Sequence, residues 1–145
     1  MQILEVNGLR KVYTTRFAGA SVEALKNINF GVENGEYVAI MGESGSGKTT
    51  LLNILAGLDK PTSGSVLLDG RDLSSVKEAD RAAFRRDNLG FVFQEFNLLD
   101  TFSVEDNILL PLVLAGVGQK ELMPRLMPIA ERLGIAELLK KYPYE

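Results

Sequence analysis

One glycine-rich run constrains this chain more than anything else in it: Gly42-Glu43-Ser44-Gly45-Ser46-Gly47-Lys48-Thr49. It fits G-x-x-x-x-G-K-[ST], the pattern of a phosphate-binding loop. Before it stands Glu36-Tyr37-Val38-Ala39-Ile40-Met41, short, apolar and β-branched, which predicts a buried strand. After it comes Thr50-Leu51-Leu52-Asn53-Ile54-Leu55-Ala56, which predicts a helix with clustered apolar residues. Strand, glycine loop and helix in that order restrict the chain to the α/β class.

The loop's residue types suit an anion. Gly42, Gly45 and Gly47 permit backbone angles and close approach that a Cβ forbids. The N–H groups of the loop, including those of Glu43, Ser44 and Ser46, then turn inward as a nest, and the helix behind adds its unpaired N–H groups. Lys48 supplies a mobile positive charge for β- and γ-phosphates, and Thr49 a hydroxyl for Mg²⁺. The plainer alternative is a Gly/Ser turn joining a strand to a helix.

Composition narrows the chemistry. The 145 residues suit one domain, or part of a larger one. A net charge of −3 with no Lys/Arg cluster disfavours nucleic acid as a partner. The absence of cysteine excludes disulfides and thiolate metal sites, and the absence of histidine removes the commonest general base. Catalysis would rest on carboxylates, Lys, Ser, Thr, Gln and a bound metal. The N-terminus lacks a basic region followed by an apolar core, so no signal peptide is expected. The longest apolar stretch, residues 108–117, is too short to span a bilayer.

Along the chain, residues 2–13 alternate loosely and predict one or two strands, with a turn or bulge at Asn7-Gly8. A loop is expected over 14–22 and a second strand over 24–32, ending in the turn Glu33-Asn34-Gly35-Glu36. Gly57 ends the loop's helix, residues 65–68 predict a strand, and Asp69-Gly70 a turn. Ser75 and Glu78 have the spacing of a capping box ahead of a short polar helix over 79–86. Residues 88–93 predict a second apolar strand. Ser103 opens a helix kinked by Pro111, residues 120–133 have helical period but carry Pro124 and Pro128, so a kinked or split helix is expected, and 135–141 predict a last short helix.

Four further features admit more than one reading each. Tyr13, an aromatic at a strand end, could stack on a heterocycle or be a half-buried strand tyrosine. Gln94 follows an apolar strand, where ligands collect in open α/β sheets. It could ligate Mg²⁺, orient a water, or cap a loop. Glu95 reads as a base or an ordinary loop carboxylate. Arg81, Arg85 and Arg86 read as a solvated helix face or as phosphate contacts.

Taken together, these stretches resemble the nucleotide-binding subunit of an ABC transporter. The resemblance rests on Tyr13, residues 42–49 (Walker A), Thr62-Ser63-Gly64 with the strand through Asp69-Gly70, and Gln94 (Q-loop). Phe96-Asn97-Leu98-Leu99, Glu105-Asp106-Asn107-Ile108 and Leu110-Pro111-Leu112 are similar to the branch that exports macrolides, releases lipoproteins or resists peptide antibiotics such as bacitracin. The resemblance implies an incomplete P-loop NTPase core with an N-terminal antiparallel β layer (1–35), a core with Walker A and Q-loop strand (36–94) and the start of a helical subdomain (95–145). It implies ATP and Mg²⁺ as cofactors. Tyr13 becomes the adenine contact and Thr50 a neighbour of the α-phosphate. Lys48 and Gln94 become catalytic, and Thr49 and Gln94 metal ligands. The implied partners are a membrane permease and a second ATP-binding subunit, with the protein peripheral on the cytoplasmic face of the cell membrane.

The family pattern continues with an LSGGQ signature, a Walker B strand, a D-loop and a switch histidine, none of which this sequence contains. The expectation is therefore an N-terminal part of a longer subunit, poor in hydrolysis by itself. The Walker B strand normally lies beside the P-loop strand, so an open edge and self-association are expected. Other classes stay open: a nucleotide-holding module without turnover, a soluble ABC ATPase of repair or translation, or a small P-loop kinase.

Overall fold

A computed structural model describes residues 2–14 and 20–145, so most of the loop expected over 14–22 lies outside the described residues. The chain divides into two compact units, Met1–Gly90 and Phe91–Glu145.

The first unit is built on an antiparallel sheet of order β2-β1-β3-β4. Its strands are β1 (Gln2–Thr14), β2 (Ser21–Glu33), β3 (Ser63–Leu68) and β4 (Arg71–Asp72). The Asn7-Gly8 signal proves to be a bulge inside one long strand. Gly8 has φ 56°, its N–H donates to Asn29 Oδ1 at 2.6 Å, and Asn27 on β2 takes φ 49°. Paired left-handed residues absorb the register shift there without breaking either strand. Helix α1 (Lys48–Leu55) packs on this sheet, with Leu51 and Ile54 buried among Val6, Leu9, Leu25 and Val66.

The two expected buried strands are not strands in the structure. Residues 36–41 have no sheet partner among the described residues, and Tyr37 is 96% exposed. Residues 91–93 are likewise unpaired, with Val92 96% exposed. A run that is apolar on both faces suits a strand covered on both sides. The described strands are engaged in the antiparallel sheet and supply no such place. The capping box at Ser75 is also absent. Ser75 Oγ donates to Asp72 O at 2.6 Å instead, and Glu78 pairs with Lys60 at 3.0 Å. A 3₁₀ turn at Glu78–Asp80 leads into α2 (Arg81–Asn88). The solvated-face reading of its arginines fails for two of them. Arg85 donates to Gly57 O at 3.2 Å beyond the C-terminus of α1, and Arg81 donates to Val76 O at 3.4 Å with its side chain 14% exposed.

The second unit holds α3 (Val104–Leu114) and α4 (Gln119–Leu133), packed through Leu109, Leu122, Leu126, Ala130 and Leu139. Ser103 and Asp106 form a capping box at the start of α3. Asn107 fixes the approach to it, accepting from Leu99 N–H at 2.8 Å and donating to the carbonyls of Leu99, Phe102 and Ser103. The chain then returns to the same place: Val104 N–H donates to Lys141 O at 2.8 Å and Glu105 N–H to Leu139 O at 2.9 Å. The N–H groups that begin a helix lack partners within it, and here later backbone satisfies two of them. Pro111, Pro124 and Pro128 lie inside continuous helices, so the expected split of the 120–133 helix does not occur. The last expected helix shrinks to a 3₁₀ turn at Ala136–Leu138.

Candidate functional site

The glycine loop folds as a backbone-lined turn at the start of α1. Gly47 is the residue before the helix, in the left-handed region at φ 94°, and Gly45 has φ 81°. A Cβ on Gly47 would collide with the carbonyl oxygen of Ala24 on β2, so the loop leans directly on the sheet. No side chain caps α1 and its first turn holds no acidic residue. The N–H groups at that end are the free positive end of the helix dipole.

Lys48 bends back over the loop. Its Nζ donates to Gly42 O at 2.7 Å, Glu43 O at 2.6 Å and Ser46 Oγ at 3.3 Å. Ser46 N–H closes a turn onto Glu43 O at 3.2 Å. Residues Gly42, Glu43, Ser44, Gly45 and Ser46 are exposed, as is Thr49, while Lys48 and Thr50 are half-buried. The uncapped N-terminus of α1, one ammonium and an accessible hydroxyl are groups that suit a polyphosphate. The hydroxyl also suits a hydrated Mg²⁺, which needs few protein oxygens when phosphate supplies the rest. Among the described residues no His, Cys, Asp and Glu cluster could hold a metal by itself.

Tyr13 stands at the end of β1, 41% exposed. Its hydroxyl donates to Asp59 Oδ2 at 2.8 Å, and Lys11 Nζ lies 4.8 Å from its ring centroid. Lys11 also donates to Asp59 Oδ1 at 2.7 Å. Burial works against ionising Asp59, but the hydrogen bonds from Lys11, Tyr13 and the Lys60 N–H, with the Lys11 charge, outweigh it and hold the carboxyl below its usual value. Sequence reasoning missed Asp59. Its one signal was the helix-ending segment in which it sits, and its partners lie 46 and 48 residues away.

Tyr13 and residues 42–50 thus lie in the first unit, whereas Gln94 belongs to the second. Gln94 is exposed, in a bend that lines a shallow opening with Glu95, Phe96, Asn97, Leu98, Asp100 and Pro143. A separate cleft of about 260 Å³ on the first unit, between Ile54, Thr62, Ser65, Leu73 and Arg81, includes no residue of the glycine loop.

Comparison with known proteins bears on these features. A family model described as "ABC transporter" matches residues 25–145. The chain is 47% identical over 145 residues to the bacitracin export ATP-binding protein BceA of Halalkalibacterium halodurans, covering 100% of this chain and 56% of that protein. It is 47% identical over 143 residues to the ABC transporter ATP-binding protein YxdL of Bacillus subtilis, covering 99% of this chain and 54% of that one. It thus spans about half the length of the curated relatives it matches. Among solved structures, the ATP-binding cassette MJ0796, in a dimeric post-hydrolysis state bound to ADP and Pi, aligns with a TM-score of 0.86 at 34% identity, covering 97% of this chain and 62% of that one. The antiparallel sheet, the loop with α1 and the helical unit are thus part of an ABC cassette, and the chain belongs to the ABC transporter family, among its ATP-binding proteins.

Proposed function

We propose that residues 42–49 bind the phosphates of ATP and that the chain is the nucleotide-holding part of an ABC transporter ATPase. The observation that carries this reading is the junction at Gly47. Backbone alone begins α1 there, no acid competes for its N–H groups, and Lys48 is already folded over the loop. Gly42, Glu43, Ser44, Gly45, Ser46 and Gly47 would line the β- and γ-phosphates, with Thr50 beside the α-phosphate. Lys48 would exchange its two carbonyl partners for phosphate oxygens. The Thr49 hydroxyl and the Gln94 amide oxygen would hold Mg²⁺, which supplies charge neutralisation for phosphoryl transfer. Tyr13 would stack on the base, and Gln94 would link the γ-phosphate to the permease.

Binding with little turnover is the expected behaviour of this chain alone. The resemblance assigns the general base to a Walker B glutamate, and residues 1–145 offer no match for it. Its work would be to drive export of a peptide antibiotic, a macrolide or a lipid-like molecule, and the bacitracin export relative supports the first of these by analogy. A permease and a second ATP-binding subunit would be its partners, at the cytoplasmic face of a membrane. Support for pairing comes from the dimeric form of the similar cassette. Among the described residues no helix is long and apolar enough to cross a membrane.

Titration of a fluorescent ATP analogue, with and without Mg²⁺, tests the site. Saturable binding should weaken by at least about tenfold in Lys48→Ala, the loss of a charge-assisted contact. Binding indifferent to Lys48 would sink the reading.

A further inference from the structure

Tyr13 is held more firmly than a strand-end aromatic needs to be. Its hydroxyl donates to Asp59 Oδ2, while Lys11 donates to Asp59 Oδ1 and to Lys60 O, each at 2.7 Å, and sits over the ring. The Lys11 side chain is 12% exposed, so this cation is confined and largely out of water. The segment that carries Asp59 is itself stitched to β1: Thr62 N–H donates to Arg10 O at 2.8 Å, and Val12 N–H to Thr62 Oγ1 at 2.9 Å. Asp59 lies four residues beyond the end of α1, its N–H donating back to Asn53 O in that helix at 3.2 Å. The helix whose first turn carries the phosphate loop therefore also anchors, at its exit, the aromatic at the end of β1.

A phenol fixed at its hydroxyl has lost the freedom to turn away, so a flat ligand need not supply that ordering. A cation lies on the electron-rich face of an aromatic ring, and Lys11 takes one face of this one. We infer that Asp59, with Lys11, is a positioning residue for base recognition, holding Tyr13 so that a nucleotide base stacks on the ring face opposite Lys11. The inference rests on the nucleotide reading above, and extends it to two residues outside the glycine loop.

The test compares ATP with inorganic tripolyphosphate, which has the phosphates and no base. Calorimetric titrations are run on the chain, on Asp59→Ala, on Tyr13→Phe and on the double variant. Tyr13→Phe keeps the ring and removes only the anchoring hydroxyl, so it is the variant safest for folding. Each single change should weaken ATP binding about tenfold, within the range of a base–aromatic stack, and leave tripolyphosphate unchanged. The double variant should be no weaker than either single, because both remove one coupling. Lys11→Met should likewise weaken ATP alone. Equal weakening of ATP and tripolyphosphate would reduce Asp59 to a fold residue and overturn the inference. So would additive losses, or an ATP affinity untouched by Tyr13→Phe. A wild-type chain that binds neither ligand would instead overturn the nucleotide reading itself.

Discussion

Gly47 meets two demands that no other residue type satisfies together. It takes φ 94°, and the Ala24 carbonyl stands where its Cβ would be. Gly45 meets only the first, with φ 81° and open space around it. The two should separate on substitution. Gly45→Ala is expected to cost about 1 kcal/mol of strain. Gly47→Ala should cost about 3 kcal/mol or more, since strain and a backbone clash add. Thermal unfolding of the two variants checks the order, and equal costs would contradict the clash. At this scale the glycine loop was legible because its motif fixes residue types at fixed offsets. The Tyr13–Asp59–Lys11 cluster was not, because contacts across 46 and 48 residues leave no local pattern. Arg85 misled for a related reason. A charge on a short polar helix reads as solvated until the carbonyl it serves, Gly57 O, is seen beside it.

Elements were legible where their signals were local. Alternation gave β1 and β2, and Ser103 with an acid at the third helical position gave the start of α3. The same kind of signal failed at Ser75, where Asp72 and Lys60 compete for the two partners of the expected box. Apolar runs at 36–41 and 88–93 failed as strands because a strand is a relation between segments. Composition can say that a segment wants neighbours without supplying them. The prolines of α4 failed in the opposite direction, since a helix buried along Leu122, Leu126 and Ala130 outweighs local breaks. Asn107 is the element-scale device with the clearest test. Asn107→Asp keeps the acceptor for Leu99 N–H and loses the donors to three carbonyls. It should destabilise the second unit by about 1 kcal/mol, since the bond to the Ser103 carbonyl is partly buried and the other two are exposed. Hydrogen exchange at Leu99 and along α3 would report it, and unchanged protection would count against the assignment.

For the whole molecule, each unit presents apolar side chains to water. Tyr37 and Met41 are 96% and 87% exposed on the first, Val92 and Phe96 are 96% and 90% on the second. Surfaces of this kind favour association. The chain is expected to self-associate in light scattering, and Tyr37→Lys with Met41→Lys should shift it towards monomer. A monodisperse monomer for the unaltered chain would refute this expectation.

The return of the chain to the start of α3 has its own consequence. Backbone carbonyls of Leu139 and Lys141 close that end, so the bond depends on where the chain arrives rather than on which side chains it carries. Exchanges at Lys140 or Lys141 leave both carbonyls in place. A single residue inserted or deleted between Gly134 and Leu139 would slide them out of step. This closure of α3 is therefore tolerant of spelling at Lys140 and Lys141 and intolerant of length in the segment that leads to them.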